Sequence, residues 1–305
     1  MAIDANIKKT LKGQGILCNR DGEHFNVRVL TGCGVVTSEI MAKVSDMAAR
    51  FGNGKVGLTS RMTFEIMGVP FENVGPLKAA LAEAGLESGG TGPRVRPVVA
   101  CKGTVCVFGL IDTQKLGQEI HERFYKDWHH VKLPHKFKIA VGGCPNNCVK
   151  PDLNDLGIIG QRVMEIDEEA CRGCKKCAME AACPVKAIVR GEDGKMTIDR
   201  AVCVNCGRCA EKCPFKAGKV AESGYRVYVG GRWGKKTRMG TPLKGIYTHD
   251  EALDMVEKAI LLFKRDGQDG ERFGNLVDRL GVETVETILA GDELKAQKED
   301  ILARE

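Results

Sequence analysis

The segment KFKIAVGGCPNNCVKP, residues 136–151, joins a strand-like run to a loop with two cysteines. Lys136 and Lys138 alternate with apolar residues, so both are predicted to point to the same face of one strand. A glycine pair follows, which lets the backbone come close to a bulky group, and then Cys144 and Cys148, separated by three residues. The pattern predicts a strand that carries two thiols to a binding site.

A second cysteine pair, Cys101 and Cys106 in CKGTVC, also follows a predicted strand, VRPVVA. Four thiols on two loops can hold either zinc or an iron–sulfur cluster, and the residues alone leave both open. Asn146 and Asn147, inside the other loop, can donate hydrogen bonds to sulfur or to an anion. We therefore expect one metal site built from both loops.

Two longer cysteine runs, CRGCKKCAMEAACPVKA at 171–187 and CVNCGRCAEKCPFKA at 203–217, share the order Cys-x2-Cys-x2-Cys followed by Cys-Pro. This order is typical of bacterial ferredoxins with two [4Fe–4S] clusters, where the fourth cysteine of each run binds the other cluster. Structural zinc, the alternative, uses cysteine pairs. The predicted ligand sets are Cys171, Cys174, Cys177 and Cys213 for one cluster, and Cys203, Cys206, Cys209 and Cys183 for the other.

The first ninety residues predict the order β-α-β-β-α of a ferredoxin-like unit. HFNVRVLT alternates like a strand, and residues 38–52 have apolar residues at helical spacing with Ser38 as the expected N-cap. KVGLTS and TFEIMGV predict a strand pair around Arg61, and FENVGPLKAALAEAGL predicts the second helix.

A glycine- and proline-rich connection at 89–97 marks a domain boundary. We predict an α+β fold with a ferredoxin-like N-terminal domain at 1–92 and an α/β domain at 93–166 and 220–305. Residues 167–219, where the composition changes to cysteine, lysine and glycine, are predicted to be an inserted two-cluster ferredoxin domain.

The bulk composition restricts the class of protein. The chain has 305 residues, 14 cysteines and a net charge of +6, and it shows neither a signal peptide nor an apolar run that would span a membrane. These features predict a cytoplasmic protein whose cysteines serve metal or redox chemistry. No basic block favours nucleic acid. Cys18 and Cys33 lack partners at metal spacing, and the histidines of WHHVKLPH are read as surface residues of a loop.

Several segments together resemble the siroheme-containing sulfite and nitrite reductases. The residues that carry this resemblance are LPHKFKIAVGGCPNNCVKPDLNDLGIIG, VGLTSRMTFEIMGV, RVRPVVAC and the tail YRVYVGGRWG…GERFGNLVDRLG. The chain is most similar to the short anaerobic and dissimilatory type, such as the C subunit of anaerobic sulfite reductase. The resemblance implies that the second domain binds siroheme.

The resemblance also implies roles for individual residues. Cys101, Cys106, Cys144 and Cys148 would hold a [4Fe–4S] cluster, with Cys148 bridging to the siroheme iron; the first pair is one residue closer than is commonest in that family. Lys136, Lys138, Arg96 and Arg28 would contact the substrate anion, and Arg61 would bind siroheme carboxylates. Asn146 and Asn147 are expected beside the cofactor.

The implied activity is the six-electron reduction of sulfite to sulfide, with electrons entering through the ferredoxin domain and three [4Fe–4S] clusters in all. Two alternatives stay open: nitrite reduction to ammonia at the same site, and a multi-cluster electron carrier without enzymatic activity. Long family members contain two copies of the half found here. The expected partners are therefore a second copy or another subunit, together with an electron-donor protein.

Overall fold

The computed structural model describes residues 3–304. The strands are β1 (Ile16–Cys18), β2 (His24–Val29), β3 (Val56–Leu58), β4 (Phe64–Pro70), β5 (Val99–Ala100), β6 (Ile139–Gly142), β7 (Leu156–Ile166), β8 (Ile188–Arg190), β9 (Met196–Ile198), β10 (Gly218–Val229) and β11 (Thr241–Pro242). The α-helices are α1 (Ala5–Gly13), α2 (Ser38–Phe51), α3 (Phe71–Glu83), α4 (Thr113–Ile120), α5 (Ala178–Ala182), α6 (His249–Asp266), α7 (Phe273–Leu280), α8 (Val282–Ala290), α9 (Glu293–Ala296) and α10 (Lys298–Ala303). The chain has a mixed α+β fold.

The N-terminal unit is an antiparallel sheet in the order β1-β2-β4-β3, against which α2 and α3 pack. Alternate residues of β2 are buried, as the sequence pattern predicts, and they join Val44 and Met47 of α2 in one apolar core. The predicted strand pair around Arg61 is confirmed, because β3 pairs with β4 and Arg61 lies in the turn between them.

Two details of this unit differ from the predictions. Helix α1 and strand β1 were not predicted. No residue of α1 is fully buried, and Leu11 packs against the apolar core while staying partly exposed. The N-cap of α2 is Thr37 rather than Ser38: the Thr37 side chain accepts a hydrogen bond from the backbone N–H of Ile40 at 3.2 Å. A threonine and a serine stand side by side here, and only the backbone conformation distinguishes the cap.

The second sheet has the order β11-β10-β7-β6-β5. Strands β5, β6 and β7 are parallel, with Val99 opposite Ala140 and Ile139 opposite Leu156, whereas β10 and β11 are antiparallel. Helix α6 packs on β7 and β10, and α4 packs on β5 and β6. The carboxyl ends of β5 and β6 therefore meet at one edge of the sheet, which is where both cysteine loops begin.

Residues 167–217 leave the sheet at the end of β7 and return at the start of β10, where Gly218 pairs with Ile166. They contain the β8–β9 hairpin, the short helix α5 and a small core of Met179, Ile188 and Met196. Within residues 3–304, no helix combines the length and apolar character that crossing a membrane requires.

Candidate functional site

The first two cysteine loops start at neighbouring parallel strands. Cys101 directly follows β5, and Cys144 lies two residues beyond the end of β6. The backbone N–H of Gly143 donates to the Cys101 thiol at 3.1 Å, so the loops are joined at their first turns. The structure thus brings together two cysteine pairs that are about forty residues apart in the chain.

The loops approach so closely that two positions require glycine. A Cβ added to Gly143 would lie 2.7 Å from the Cα of Gly103, and one added to Gly103 would lie 2.8 Å from the Cα of Gly143. Both contacts are with backbone, which cannot rotate away. The glycines of these two loops therefore set the separation of the thiols.

Replacing Gly143 by alanine is expected to force the loops apart and to destabilise the protein by about 1–3 kcal/mol, as overpacking typically does. Thermal denaturation and the iron content of the variant measure the effect. Gly13→Ala is the matched control, because a Cβ on Gly13 meets no atom within 4 Å and alanine favours the helix that Gly13 ends. An equal iron content and melting temperature in Gly143→Ala and the wild type would contradict the prediction.

All four thiols of this site are electrostatic neighbours. Burial raises the pKa of Cys144, the backbone N–H of Asn146 opposes that rise, and Cys148, Cys101 and Cys106 add to it. Cys148 is the exposed member of the four, while the other three are half-buried. Its thiol is therefore the one that is open to a further group.

The two asparagines of the second loop differ in their surroundings. Asn147 has a left-handed backbone with φ of 57° and donates from its side chain to Asp152 at 2.8 Å, while its own Oδ1 is buried without a partner among the described residues. Asn146 is exposed, and only its backbone faces Cys144. Both asparagines lie in the loop between Cys144 and Cys148, and their side chains are not directed to a common group.

The two lysines of the opening segment lie immediately before β6, on extended backbone that flanks the buried Phe137. Neither ammonium group has a hydrogen-bond or ion-pair partner among residues 3–304. Burial and the charges of Arg61, Lys136 and Arg272 lower the pKa of Lys138 to about 8. Burial, Arg272 and Arg96 also lower the pKa of Lys136. Two unpaired cations in a positive field attract an anion.

Arg28 and Arg96 converge on one carbonyl group. Both guanidinium groups donate to the oxygen of Gly90, at 3.3 and 2.7 Å, and the N–H of Gly90 donates to the hydroxyl of Tyr125 at 2.9 Å. Tyr125 is carried by a π-helical turn, a deformation that is common at functional sites. Gly90 has φ of 80°, so this arrangement favours glycine.

The two arginines are not equally available. Arg28 forms an ion pair with Glu65 at 2.6 Å, with each side chain less than a fifth exposed. Arg96 has no carboxylate partner among the described residues, and burial together with Arg28 lowers its pKa to about 10. Arg96 can therefore meet an anion as the structure stands, whereas Arg28 reaches one only by sharing its charge with Glu65.

Arg61 connects the N-terminal unit to the larger sheet. Its guanidinium donates to the carbonyl groups of Pro97 and Ile139 and to the Asn154 side chain, at 3.1, 2.8 and 2.6 Å. Burial lowers its pKa to about 10, and Asp155 partly offsets this. Arg61 thus has a structural role that the sequence did not predict, in addition to lying beside Lys138.

The sequence reasoning missed Arg272 and Asp155. Asp155 is fully buried, accepts from Arg272 at 2.8 Å and from the backbone N–H of Lys138 at 2.9 Å, and so fixes the start of β6. Burial raises the pKa of Asp155 and the charge of Arg272 opposes that rise. Asp155 lies in NDLGIIG and Arg272 lies in GERFG, which are parts of the segments that carry the family resemblance. Nothing in those segments indicated that the two side chains would pair.

Six cationic side chains therefore share one region with two carboxylates, those of Glu65 and Asp155. We call the cations the cationic cluster: Arg28, Arg61, Arg96, Lys136, Lys138 and Arg272. Beside it lies a cavity of about 220 Å³, lined by Arg61, Lys138, Asn154, Lys150 and the ring of Trp233 among others. The Lys150 ammonium sits 4.9 Å from the centre of that ring. An anionic group with a flat apolar face would meet matching surfaces here.

The eight remaining motif cysteines lie in the small unit. Cys183, Cys203, Cys206 and Cys209, which we call the proximal set, line one apolar cavity, and burial with the other three thiols raises the pKa of Cys209 to about 11. Cys171, Cys177 and Cys213 pack against the small core, and Arg190 donates to the carbonyl of Cys174; these four are the distal set. Cys183, the fourth cysteine of the first run, thus lies with the triplet of the second run.

Among residues 3–304, no three His, Cys, Asp or Glu side chains are arranged to hold a single metal ion. A [4Fe–4S] cluster has a different requirement, because each of its irons takes its own thiolate and the ligands surround a cube. Cys33 lies in the apolar core, and burial raises the pKa of its thiol to about 12.

Comparison with known families covers most of the chain. Residues 91–298 match the family described as nitrite and sulphite reductase 4Fe-4S domain. Residues 19–84 match the nitrite/sulfite reductase ferredoxin-like half domain. The two matches correspond to the larger sheet with its cysteine loops and to the N-terminal antiparallel sheet.

Individual relatives agree with these matches. The chain is 36% identical over 272 residues to the coenzyme F420-dependent sulfite reductase of Methanocaldococcus jannaschii, covering 88% of this chain but only 42% of that protein. It is 27% identical to the C subunit of the anaerobic sulfite reductase of Salmonella typhimurium, covering 97% and 93% of the two chains. The crystal structure of dissimilatory sulfite reductase I has the same fold, with a TM-score of 0.71 and 22% identity over 92% of this chain and 74% of that one.

Proposed function

We propose that this chain, which belongs to the nitrite and sulphite reductase family, reduces sulfite to sulfide at a siroheme, with electrons supplied through residues 167–219 acting as a two-cluster ferredoxin domain. When bound, the siroheme supplies the iron at which the anion is reduced and the clusters supply electrons singly. The protein provides ligands, charge and protons.

The described residues fit these groups. Cys101, Cys106, Cys144 and Cys148 would hold the siroheme-coupled cluster, with the exposed Cys148 as the bridging thiolate. The distal and proximal sets would hold the two ferredoxin clusters. Arg61 and Lys150 would face siroheme carboxylates, and Trp233 offers a flat surface in the same cavity. Asn146 and Asn147 complete the loop beside the bridging thiolate.

The observation that carries the proposal is the position of the cationic cluster. Lys136 and Lys138 present unpaired ammonium groups just before β6, and the same strand ends at the cysteine loop. A substrate anion bound between the cofactor and these lysines would be held by Arg96, with Arg28 as a further contact. A pure electron carrier has no use for such a cluster, so the enzymatic reading explains more of the molecule.

The reaction sets a demand for protons that the lysines can meet. Bisulfite takes up six electrons and six protons to give hydrosulfide and three waters, so each electron must be matched by a proton. Burial and neighbouring charges already favour release of a proton from Lys138, since its pKa is lowered to about 8. An ammonium group of this kind both stabilises negative charge on the substrate oxygen and donates a proton to it.

This arrangement predicts a pH dependence. Lys138 is cationic below its pKa and neutral above it, so kcat/KM for sulfite is expected to fall as the pH rises through that pKa. The pKa of Lys138 is about 8 in the protein alone. A bound anionic cofactor raises this pKa, so the fall is expected at about pH 8 or above. Lys138→Arg should move this alkaline limb upward while lowering the plateau. The titration of sulfite itself is common to both proteins, so an unchanged limb in the variant would remove Lys138 from the assignment.

The proposal is tested by anaerobic purification, an absorption spectrum, metal analysis and a steady-state assay with photoreduced methyl viologen. We expect siroheme bands, about thirteen irons per chain from three clusters and one haem iron, and sulfide as product. Absence of siroheme bands from cofactor-replete protein would refute it. Nitrite in the same assay decides between the two anions, and zinc with about eight irons would instead support a structural metal at the Cys101 site.

A further inference from the structure

The turn at 89–92 carries the carbonyl groups that hold two arginines of the cationic cluster. The Gly90 oxygen accepts from Arg28 and from Arg96, and the Gly92 oxygen accepts from Nε of Arg96 at 3.1 Å. Like charges repel, so the two guanidinium groups stay together only where an acceptor holds both. Nη2 of Arg96 has no partner among the described residues, which leaves this edge of the guanidinium group for an anion.

The Gly90 backbone is crowded on the side of the arginines. A Cβ at this position would lie 2.9 Å from Cγ of Pro97 and 3.2 Å from Cδ of Arg28. The N–H of Gly89 donates to the Arg28 carbonyl at 3.1 Å, so the turn also follows the arginine's own backbone. Glycine has no side chain to restrict its conformation, and the direction of the Gly90 carbonyl therefore depends on what holds the turn from its other side.

Tyr125 holds the turn from the larger unit. Its side chain is only 2% exposed, and its hydroxyl accepts from the N–H of Gly90 at 2.9 Å. A Cβ on Gly89 would lie 2.5 Å from this hydroxyl, so the tyrosine and the turn are in direct contact. The N–H of Gly90 has no other acceptor among the described residues, and removal of the hydroxyl would leave a buried donor without a partner.

The phenol ring of Tyr125 is itself held in place. The ring of His121 stacks on it, with centres 4.8 Å apart and an angle of 12° between the planes, and His129 meets it edge-on at 5.7 Å. Burial lowers the pKa of His121 to about 4, so this ring is neutral at neutral pH and adds no charge beside the arginines. Burial also raises the pKa of Tyr125, which keeps its hydroxyl protonated. The hydroxyl is thus a fixed, neutral acceptor.

We propose that Tyr125 and Gly90 are positioning residues for the substrate anion. The tyrosine hydroxyl fixes the Gly90 backbone, and the Gly90 carbonyl holds Arg28 and Arg96 at a spacing at which both reach one small oxyanion. This inference rests on the proposed function and adds two residues that act through the arginines. Neither residue lies in the segments that carry the family resemblance.

Tyr125→Phe removes the hydroxyl and keeps the ring on which His121 stacks. With reduced methyl viologen as donor, we expect the KM for sulfite to rise about tenfold and kcat to stay within about twofold, because a loss of binding common to ground state and transition state raises KM alone. A purely structural role would lower kcat through loss of active protein and leave KM unchanged, and that result would overturn the proposal.

Tyr247→Phe is the matched control. Its hydroxyl also bonds to the backbone, donating to the carbonyl of Lys244 at 2.9 Å, but it lies outside the cationic cluster. Both kinetic constants of this variant should stay within about twofold of the wild type. An equal rise of KM in Tyr247→Phe would show that the effect of Tyr125→Phe is not specific to the arginines.

The coupling to the arginines is tested by combining substitutions. If Tyr125 acts through Arg96, the change Tyr125→Phe should lower kcat/KM by at most about threefold in an Arg96→Met background, because the group that it positions is already absent. Independent effects would multiply. A further tenfold loss in the double variant would therefore contradict the proposal.

Two readouts do not depend on turnover. Hydrogen–deuterium exchange of the Gly90 amide should be at least about tenfold faster in Tyr125→Phe and unchanged in Tyr247→Phe, since only the first loses the acceptor. Calorimetric titration of sulfite into the oxidised protein, without an electron donor, should give a Kd about tenfold higher in Tyr125→Phe. An equal exchange rate, an equal Kd or no binding to the wild type would overturn the proposal. If the wild type binds sulfite without reducing it, the proposed function fails while the two Kd values still decide the role of Tyr125.

Gly90→Ala acts on the same carbonyl without changing Tyr125, and it decides the question if Tyr125→Phe melts below the assay temperature. The added Cβ displaces Pro97 or Arg28, so the Kd for sulfite should again rise about tenfold. Gly85→Ala is its control, because Gly85 has an equally left-handed backbone, with φ of 70°, and a Cβ there meets no atom within 4 Å. A Kd in Gly90→Ala equal to that of Gly85→Ala would refute the role of the Gly90 carbonyl.

Discussion

Replacing Lys138 by methionine is expected to lower kcat for sulfite by about 10²–10³-fold, the usual cost of removing one donor that stabilises developing negative charge. The ammonium has no partner among the described residues, lies in the cavity with Arg61 and has a pKa lowered to about 8. Methionine keeps the length and apolar stem of lysine, so the loss is one of charge and proton supply. Steady-state kinetics with methyl viologen measures it.

The siroheme spectrum separates this effect from a loss of cofactor. We expect the bands of Lys138→Met to match the wild type in position and intensity, because cysteine ligands and the other cations of the site remain. Lys132→Met is the matched control, since Lys132 is exposed, lies in the preceding loop and has no ion pair among the described residues. Wild-type turnover in Lys138→Met would remove this lysine from the active site.

The second large effect is expected at the four-cysteine site. Cys101→Ser should remove one cluster, reducing iron from about thirteen to about nine per chain, and abolish sulfite reduction. A serine hydroxyl does not ionise at neutral pH, so it does not replace a thiolate ligand. The variant also changes the contact with the N–H of Gly143, which joins the two loops. Iron analysis and electron paramagnetic resonance of the reduced protein measure the loss.

Cys18→Ser is the control for this substitution. Cys18 is half-buried and its thiol lies 3.5 Å from the carbonyl of Asn19, a contact that a hydroxyl can keep. It should retain full iron and full activity. If Cys101→Ser also kept all its iron, the ligand assignment of this site would be wrong, and zinc in place of the missing iron would favour the structural alternative.

The strands and helices that carry the site were largely predictable. β2, β6 and helices α2 and α3 occur where the sequence predicted them. β2 and the two helices each bury one face, and the apolar periodicity records that burial, whereas β6 is buried throughout. Helix α1 was missed, and none of its residues is fully buried. The choice of Thr37 over Ser38 as N-cap depends on one backbone conformation, which the neighbouring residue types do not determine.

The chemistry of the candidate site was also predicted from the chain. Cysteine spacing is a local property, since residues two or three positions apart are held near one another by the backbone itself. The same holds for Lys136 and Lys138, which alternate about a buried phenylalanine whatever the fold around them. The sequence by itself therefore determined the family, and it predicted the cysteine sets and the lysine pair.

Only the tertiary structure decided which distant groups meet. Glu65 partly neutralises Arg28, Asp155 holds both Arg272 and the backbone of Lys138, and Arg61 joins two units through carbonyl groups far apart in sequence. The proximal set was likewise distinguished from the distal set by the packing of one loop on β7. Such contacts depend on how sheets and loops pack, and no spacing along the chain encodes them, because the partners are brought together only when the cores form.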